Sequence, residues 1–162
     1  MTGDDQDKRR PKSVRRRSAS RLAAVQTLFQ SKSSQISITD IVPQFQDHFL
    51  PELLAEFEID RIDTEHYTTL VFHATDRAAE IDEAITPLLK ESWSVERLGL
   101  VERAAIGAAM IELSETPQVP ARAVITEYTA IADSCGGDSD FVNAILDRLA
   151  RRFRVEEMQA AR

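Results

Sequence analysis

The chain has 162 residues, enough for one domain or two tightly packed halves and too few for a binding module joined to a separate catalytic domain. Hydrophobic residues make up 43% and charged residues 29%, the balance of a globular protein and not of a disordered or membrane one. The formal net charge is −7, yet residues 8–21 hold eight basic and no acidic side chains, leaving 12 basic against 27 acidic residues elsewhere. So acidic a body repels polyanions, and any nucleic acid has to be held by a local patch and its neighbourhood.

Five Gly, six Pro and 6% aromatics favour helix over sheet. Cys135 is the single cysteine, which excludes an intramolecular disulfide and a Cys-based metal site and suits a reducing cytoplasm. The basic N-terminus lacks the apolar core of a secretory signal, and no run approaches the ~18 apolar residues of a membrane span. A cytoplasmic location without membrane association is the expectation.

In chain order, residues 1–17 are polar and aperiodic and read as a flexible basic arm. The spacing of Leu22, Val25, Leu28 and Phe29 predicts a first helix from about Ser18, capped by Ser18 or Ser20. Residues 31–38 read as a loop, after which Thr39 or Asp40 can cap a helix carrying Val42, Phe45 and Phe49. Pro51 breaks that register at a place suited to N1 of a further short helix.

From about Asp63 to Leu89 a 3.6-residue pattern runs through Tyr67, Leu70, Val71, Ala74, Ile81 and Ile85, too long for one average helix. Pro87 predicts a break or bend between about Glu80 and itself. After Trp93, a run from about Glu96 to Ser114 is rich in Ala, whose small side chains let helices approach closely and predict a central position. Pro117 and Pro120 end it. A helix over about Arg122 to Cys135 closes on a left-handed cap at Gly136-Gly137. Asp138 or Ser139 then caps the last helix, with Phe141, Val142, Ile145, Leu146 and Leu149 as its buried stripe. The outcome is an all-α fold of about seven helices, with a basic arm (1–17), one domain (18–154) and a C-terminal tail (155–162).

Catalytic constellations leave little trace. The glycines never reach the spacing of a phosphate-binding loop, and there is no H-E-x-x-H. His66 and His73 share a helix face beside Glu65, but two turns separate them by ~10 Å, too far for one metal. Glu80, Asp82 and Glu83 read as a solvated face. Cys135, next to a glycine pair and far from any His, reads as structural; Trp93 could stack on a base, but reads first as a buried or interface anchor. The expectation is a non-enzyme with no catalytic residues, cofactor or metal. The basic arm alone rises above this background. Arginines attract phosphate, with a log–log salt slope of about 0.7 per phosphate on a single strand, and they fork bidentately or stack on bases; the alternative is a merely solubilising tail.

Four segments carry a further signal in their order. RRRSASRLAAVQTLFQ (Arg15 to Gln30) is similar to an arginine-rich start running into an A-V-Q-x-L-aromatic helix. Trp93 followed by RLGLVERAAIGAAMIEL is similar to W-x-x-x-R-L…[DE]-[RK]-A-I-L-R…E-L, VPARAVITEY to V-P-x-x-V-x-I-N-E, and DFVNAILDRLA to F-V-N-G-V-L-D. Together, over residues 15–150, they resemble the bacterial NusB antitermination family.

That resemblance implies two packed helical halves that bind boxA RNA together with NusE, a small-subunit ribosomal protein, and modify elongating RNA polymerase in ribosomal RNA operons. Carried over to this chain, it implies RNA contacts at Arg15, Arg16, Arg17, Arg21, Gln26, Phe29, Phe141 and Asn143, and a partner contact at Glu102. An aromatic such as Phe141 offers a stacking face to an unpaired base. Gly107, Thr126 and Ala144 depart from the family's Arg, Asn and Gly. The alternative is therefore a diverged paralogue or a protein–protein adaptor with altered or no RNA binding. Pairing as a homodimer is left open.

Overall fold

The computed structural model describes residues 10–161. Among them are α1 (Lys12–Ser34), α2 (Ile38–His48), α3 (Leu50–Phe57), α4 (Thr64–Asp76), α5 (Ala78–Ile85), α6 (Leu100–Glu115), α7 (Ala121–Ser134), α8 (Ser139–Phe153) and α9 (Val155–Ala160), with 3-10 turns at Thr86–Leu88 and Val95–Arg97. The described residues are all-α, with nine helices where about seven were expected. The chain divides between Phe72 and His73 into two compact units.

The boundaries differ from expectation at four places. α1 runs on through Ser34, where residues 31–38 were expected as a loop, and α2 follows at Ile38 behind Ser37 instead of a Thr39 or Asp40 cap. α1 starts at Lys12, so residues 12–17 are helical and not a flexible arm; residues 1–9 of that expected arm lie outside the described ones. Lys and Arg are good helix formers, and Pro11 (φ −54°, ψ 148°) leads into the first turn, its carbonyl accepting the Arg15 N–H at 3.0 Å. The expected break between Glu80 and Pro87 is present, since α5 ends at Ile85 and Pro87 sits in the first positions of the following 3-10 turn, where its missing N–H costs nothing, but a further interruption that was not expected falls at Arg77 (φ −99°, ψ 20°). Residues 155–160, expected as tail, form α9 and bury Met158.

In the first unit, α1, α2 and α3 pack on one another, burying Val25, Ile41, Phe45 and Leu53. Phe45 stacks on Phe49 at 5.7 Å and on Tyr67 at 6.0 Å between ring centroids. The Thr27 hydroxyl donates to the Ala23 carbonyl (2.8 Å), so the buried Tyr67 hydroxyl, 2.9 Å away, is the donor to Thr27.

The second unit is built around α6. Every residue from Ala104 to Leu113 is buried, and α5, α7 and α8 pack on it. The run of Ala and Gly makes this possible, because small side chains let backbones approach on every side. Beyond α8, Arg154 turns back into the unit. Its guanidinium donates to the carbonyls of Leu113 (2.7 Å), Val119 (2.9 Å), Thr116 (2.9 Å) and Glu112 (3.3 Å) and pairs with Glu157 at 2.7 Å. Glu157 also accepts the Ala121 N–H at 2.7 Å. One arginine thus closes the carbonyl end of α6 while one glutamate closes the N–H end of α7.

Candidate nucleic-acid interface

The arginine-rich start of α1 lies against the 57–63 segment of its own unit. Arg15 reaches the C-terminal end of α3, with Nη1 at 3.1 Å from the carbonyls of both Phe57 and Glu58, where a cation complements the helix dipole. Arg16 pairs with Asp60 at 2.7 Å. That hydrogen bond is the main reason the exposed Asp60 carboxyl is held below its ordinary range. Arg17 approaches Asp63 at 4.0 Å and keeps 41% of its side chain exposed. The Asp63 carbonyl accepts from the Ser20 hydroxyl at 2.8 Å, which ties the segment to α1.

Arg21 corrects the sequence reading. It is only 4% exposed and is partnered within the fold. Residues three and four apart share a helix face, so Arg21 lies with the buried Ala24 and Val25 and leaves the exposed basic surface. Further along α1, Gln26 is half-buried and Phe29 is 38% exposed.

In the second unit, Glu102, Phe141 and Asn143 are joined by a short chain of hydrogen bonds and a shared helix. Glu102, in the first turn of α6, accepts the Asp138 N–H at 2.8 Å. Asp138 caps α8 by accepting the Phe141 N–H at 3.0 Å. The carboxylate expected to face a protein partner therefore also fixes the start of the helix that carries Phe141. Phe141 is half-buried, and Asn143 is exposed two residues on.

Beside this cap lies a groove of about 520 Å³, in the range of small-ligand sites, about 300–1,000 Å³. Leu88, Leu89, Trp93, Leu98, Phe141, Ala144 and Ile145 give it apolar walls, and Lys90, Arg97, Arg148, Glu102 and Asp138 add charge. Trp93 is 48% exposed, which excludes the buried of its two expected anchor roles and leaves the interface one. Arg97 donates to the Ser92 carbonyl at 3.1 Å and Arg148 to that of Leu88 at 3.4 Å. The sequence alone does not single out Lys90, Arg97 and Arg148 as groove residues, although Arg97 stands in the W-x-x-x-R spacing.

The titratable residues considered for catalysis fall elsewhere. His66 is buried and partnered, and His73 lies 2.6 Å from Glu115, which also binds Arg77. Burial pushes the Cys135 thiol up, away from the thiolate a nucleophile needs. Gly136, at φ +80°, supplies the left-handed residue after α7.

Comparison with known proteins gives one family. The NusB family matches residues 18–151. The transcription antitermination protein NusB of Maricaulis maris is 34% identical over 146 residues, covering 89% of this chain and 91% of that protein. That of Rhodopseudomonas palustris is 32% identical over 148 residues, covering 90% and 88%. Among solved structures, T. maritima NusB shares the fold with a TM-score of 0.66 at 28% identity, covering 88% of this chain and 92% of that one. A chain in the crystal structure of a plectonemic RNA supercoil does so with a TM-score of 0.67 at 23% identity, covering 84% and 94%. With most of both units inside the family match, and relatives above 30% identity spanning nearly the whole length, the chain belongs to the NusB family.

Proposed function

We propose that this chain is an RNA-binding transcription antitermination factor that takes boxA-type single-stranded RNA together with NusE and acts on the transcription elongation complex of ribosomal RNA operons, in the cytoplasm. The observation that carries the reading is its alignment with curated transcription antitermination proteins over about nine-tenths of its length. Its role is to bind, not to catalyse. Arg16 and Arg17, with Arg15 behind them, supply phosphate affinity; Phe29 and Phe141 supply aromatic faces; Gln26 and the exposed Asn143 supply amides. The acidic remainder repels nonspecific polyanions and complements a basic ribosomal protein. Glu102 combines a partner contact with its support of Asp138.

One observation favours a second reading, the diverged paralogue or adaptor. Arg15 and Arg16 are already engaged with α3 carbonyls and Asp60, which lowers what they can offer a phosphate. Anisotropy of a labelled boxA-type RNA, titrated with the chain with and without NusE over a range of salt, separates the two. The antitermination reading expects weak, salt-sensitive binding that tightens with NusE and falls when Arg16 and Arg17 become Ala. Equal affinity with and without NusE, or no effect of the arginine changes, refutes it.

A further inference from the structure

We infer that the groove beside α8 is a nucleotide subsite: an unpaired base of single-stranded RNA stacks on Trp93 and Phe141, and its flanking phosphates sit on Lys90, Arg97 and Arg148. This rests on the RNA-binding reading and adds a contact point that the arginine-rich start of α1 does not contain.

Three observations carry it. The first is the pairing of charges. Arg16, Arg17, Arg77, Arg103, Arg151 and Arg154 each have a carboxylate within 4.0 Å. Lys90, Arg97 and Arg148 have no such partner among the described residues, a state they share with Arg15, Arg61, Arg122 and Arg152; what sets the three apart is that they surround one groove, where the two arginines touch only backbone carbonyls. On a chain of net charge −7, three cations without carboxylates around one apolar groove complement a polyanion. The second is Trp93, a large flat ring left 48% exposed on a groove wall that also holds Phe141. Every base has a π-face, so such a platform stacks bases with little regard to sequence. The third is the pair of acids in the lining. Glu102 and Asp138 are both occupied by backbone N–H groups, and they fix Phe141 in place without pairing with the cations. An acidic peptide is the other class of occupant, and the aromatic platform favours the nucleotide.

Trp93 is the only tryptophan, so its emission reports this groove directly. The full chain is titrated with a boxA-type single-stranded oligonucleotide, following Trp93 emission and, separately, the anisotropy of labelled RNA. The expected result is a change in emission with the same midpoint as the anisotropy. W93A weakens binding about tenfold and W93F restores most of it. R97A and R148A weaken binding and each lower the salt slope by about 0.7. Far-UV circular dichroism establishes that each variant is folded. RNA binding with unchanged Trp93 emission and parental affinity in R97A and R148A overturns the subsite while the RNA-binding reading stands. A Trp93 response to NusE and none to RNA makes the groove a protein contact and also overturns it. No RNA binding with or without NusE sinks both readings.

Discussion

Replacing Arg154 by Met keeps the length of the side chain and removes its charge and donors. In the folded chain the guanidinium serves four carbonyls and one carboxylate while its residue is only 8% exposed. Leaving buried acceptors without donors costs about 1–3 kcal/mol each. Not all five acceptors are lost in full, because water can reach the half-buried Thr116 and the exposed Glu157. The acceptors on buried residues, Glu112, Leu113 and Val119, set the expected loss at about 3–5 kcal/mol, the low end of three such costs because the Glu112 contact is long at 3.3 Å. Against a typical total of about 5–15 kcal/mol it is a large share.

Urea unfolding followed by circular dichroism and by Trp93 emission measures it, since Trp93 and Arg154 belong to the same compact unit. R154K should fall between, because an ammonium keeps the charge but has three donors and no planar fork. A loss below about 1 kcal/mol in R154M would mean that these carbonyls find other donors, and the reasoning from satisfied acceptors fails.

Three further outcomes follow. The backbone N–H of Ala121, and to a smaller extent Arg154, hold the Glu157 carboxyl below its ordinary value. Its contribution is therefore present above the unfolded-state value, about 4.3, and lost as pH falls through the lower folded-state one. Acid titration of stability should show a steeper decline in the parent than in E157Q, and parallel curves would discount the contact. Asn at Asp60 frees Arg16 from its 2.7 Å partner, so D60N should bind boxA-type RNA more tightly in anisotropy with a salt slope steeper by about 0.7; unchanged affinity would show that Arg16 meets no phosphate. Gly107 sits inside α6 where an added methyl would meet only the Ile81 Cδ1 at 3.9 Å, so G107A should gain about 0.5–1 kcal/mol in urea unfolding, and a loss would show that the packing there is tighter than the distances indicate.

What was legible in the sequence was what repeats locally. The periodicity of α2, α7 and α8 and the Ala density of α6 are written within one window of residues, and their places in the structure follow from it. The start of α1 was misread because the groups that hold it, Phe57, Glu58, Asp60 and Asp63, lie more than 40 residues away. α9 was misread for a related reason. Six residues are too few to show a period, and the carbonyls that Arg154 serves come from the end of α6 and the turn after it. At the site, Phe141 and its F-V-N context were visible, whereas Arg148 and Lys90 come from separate elements and only the folded chain puts them around one groove.

The hold of α1 on the 57–63 segment also bears on how a fragment of this chain should be cut. The family match opens at residue 18, yet the guanidinium groups that fasten the loop after α3 stand at positions 15 and 16. A fragment trimmed to the family match would begin in mid-helix and leave that loop held to α1 through Ser20 without its arginine contacts, and weak RNA binding by such a piece would report a loosened first unit, not the affinity of the full chain.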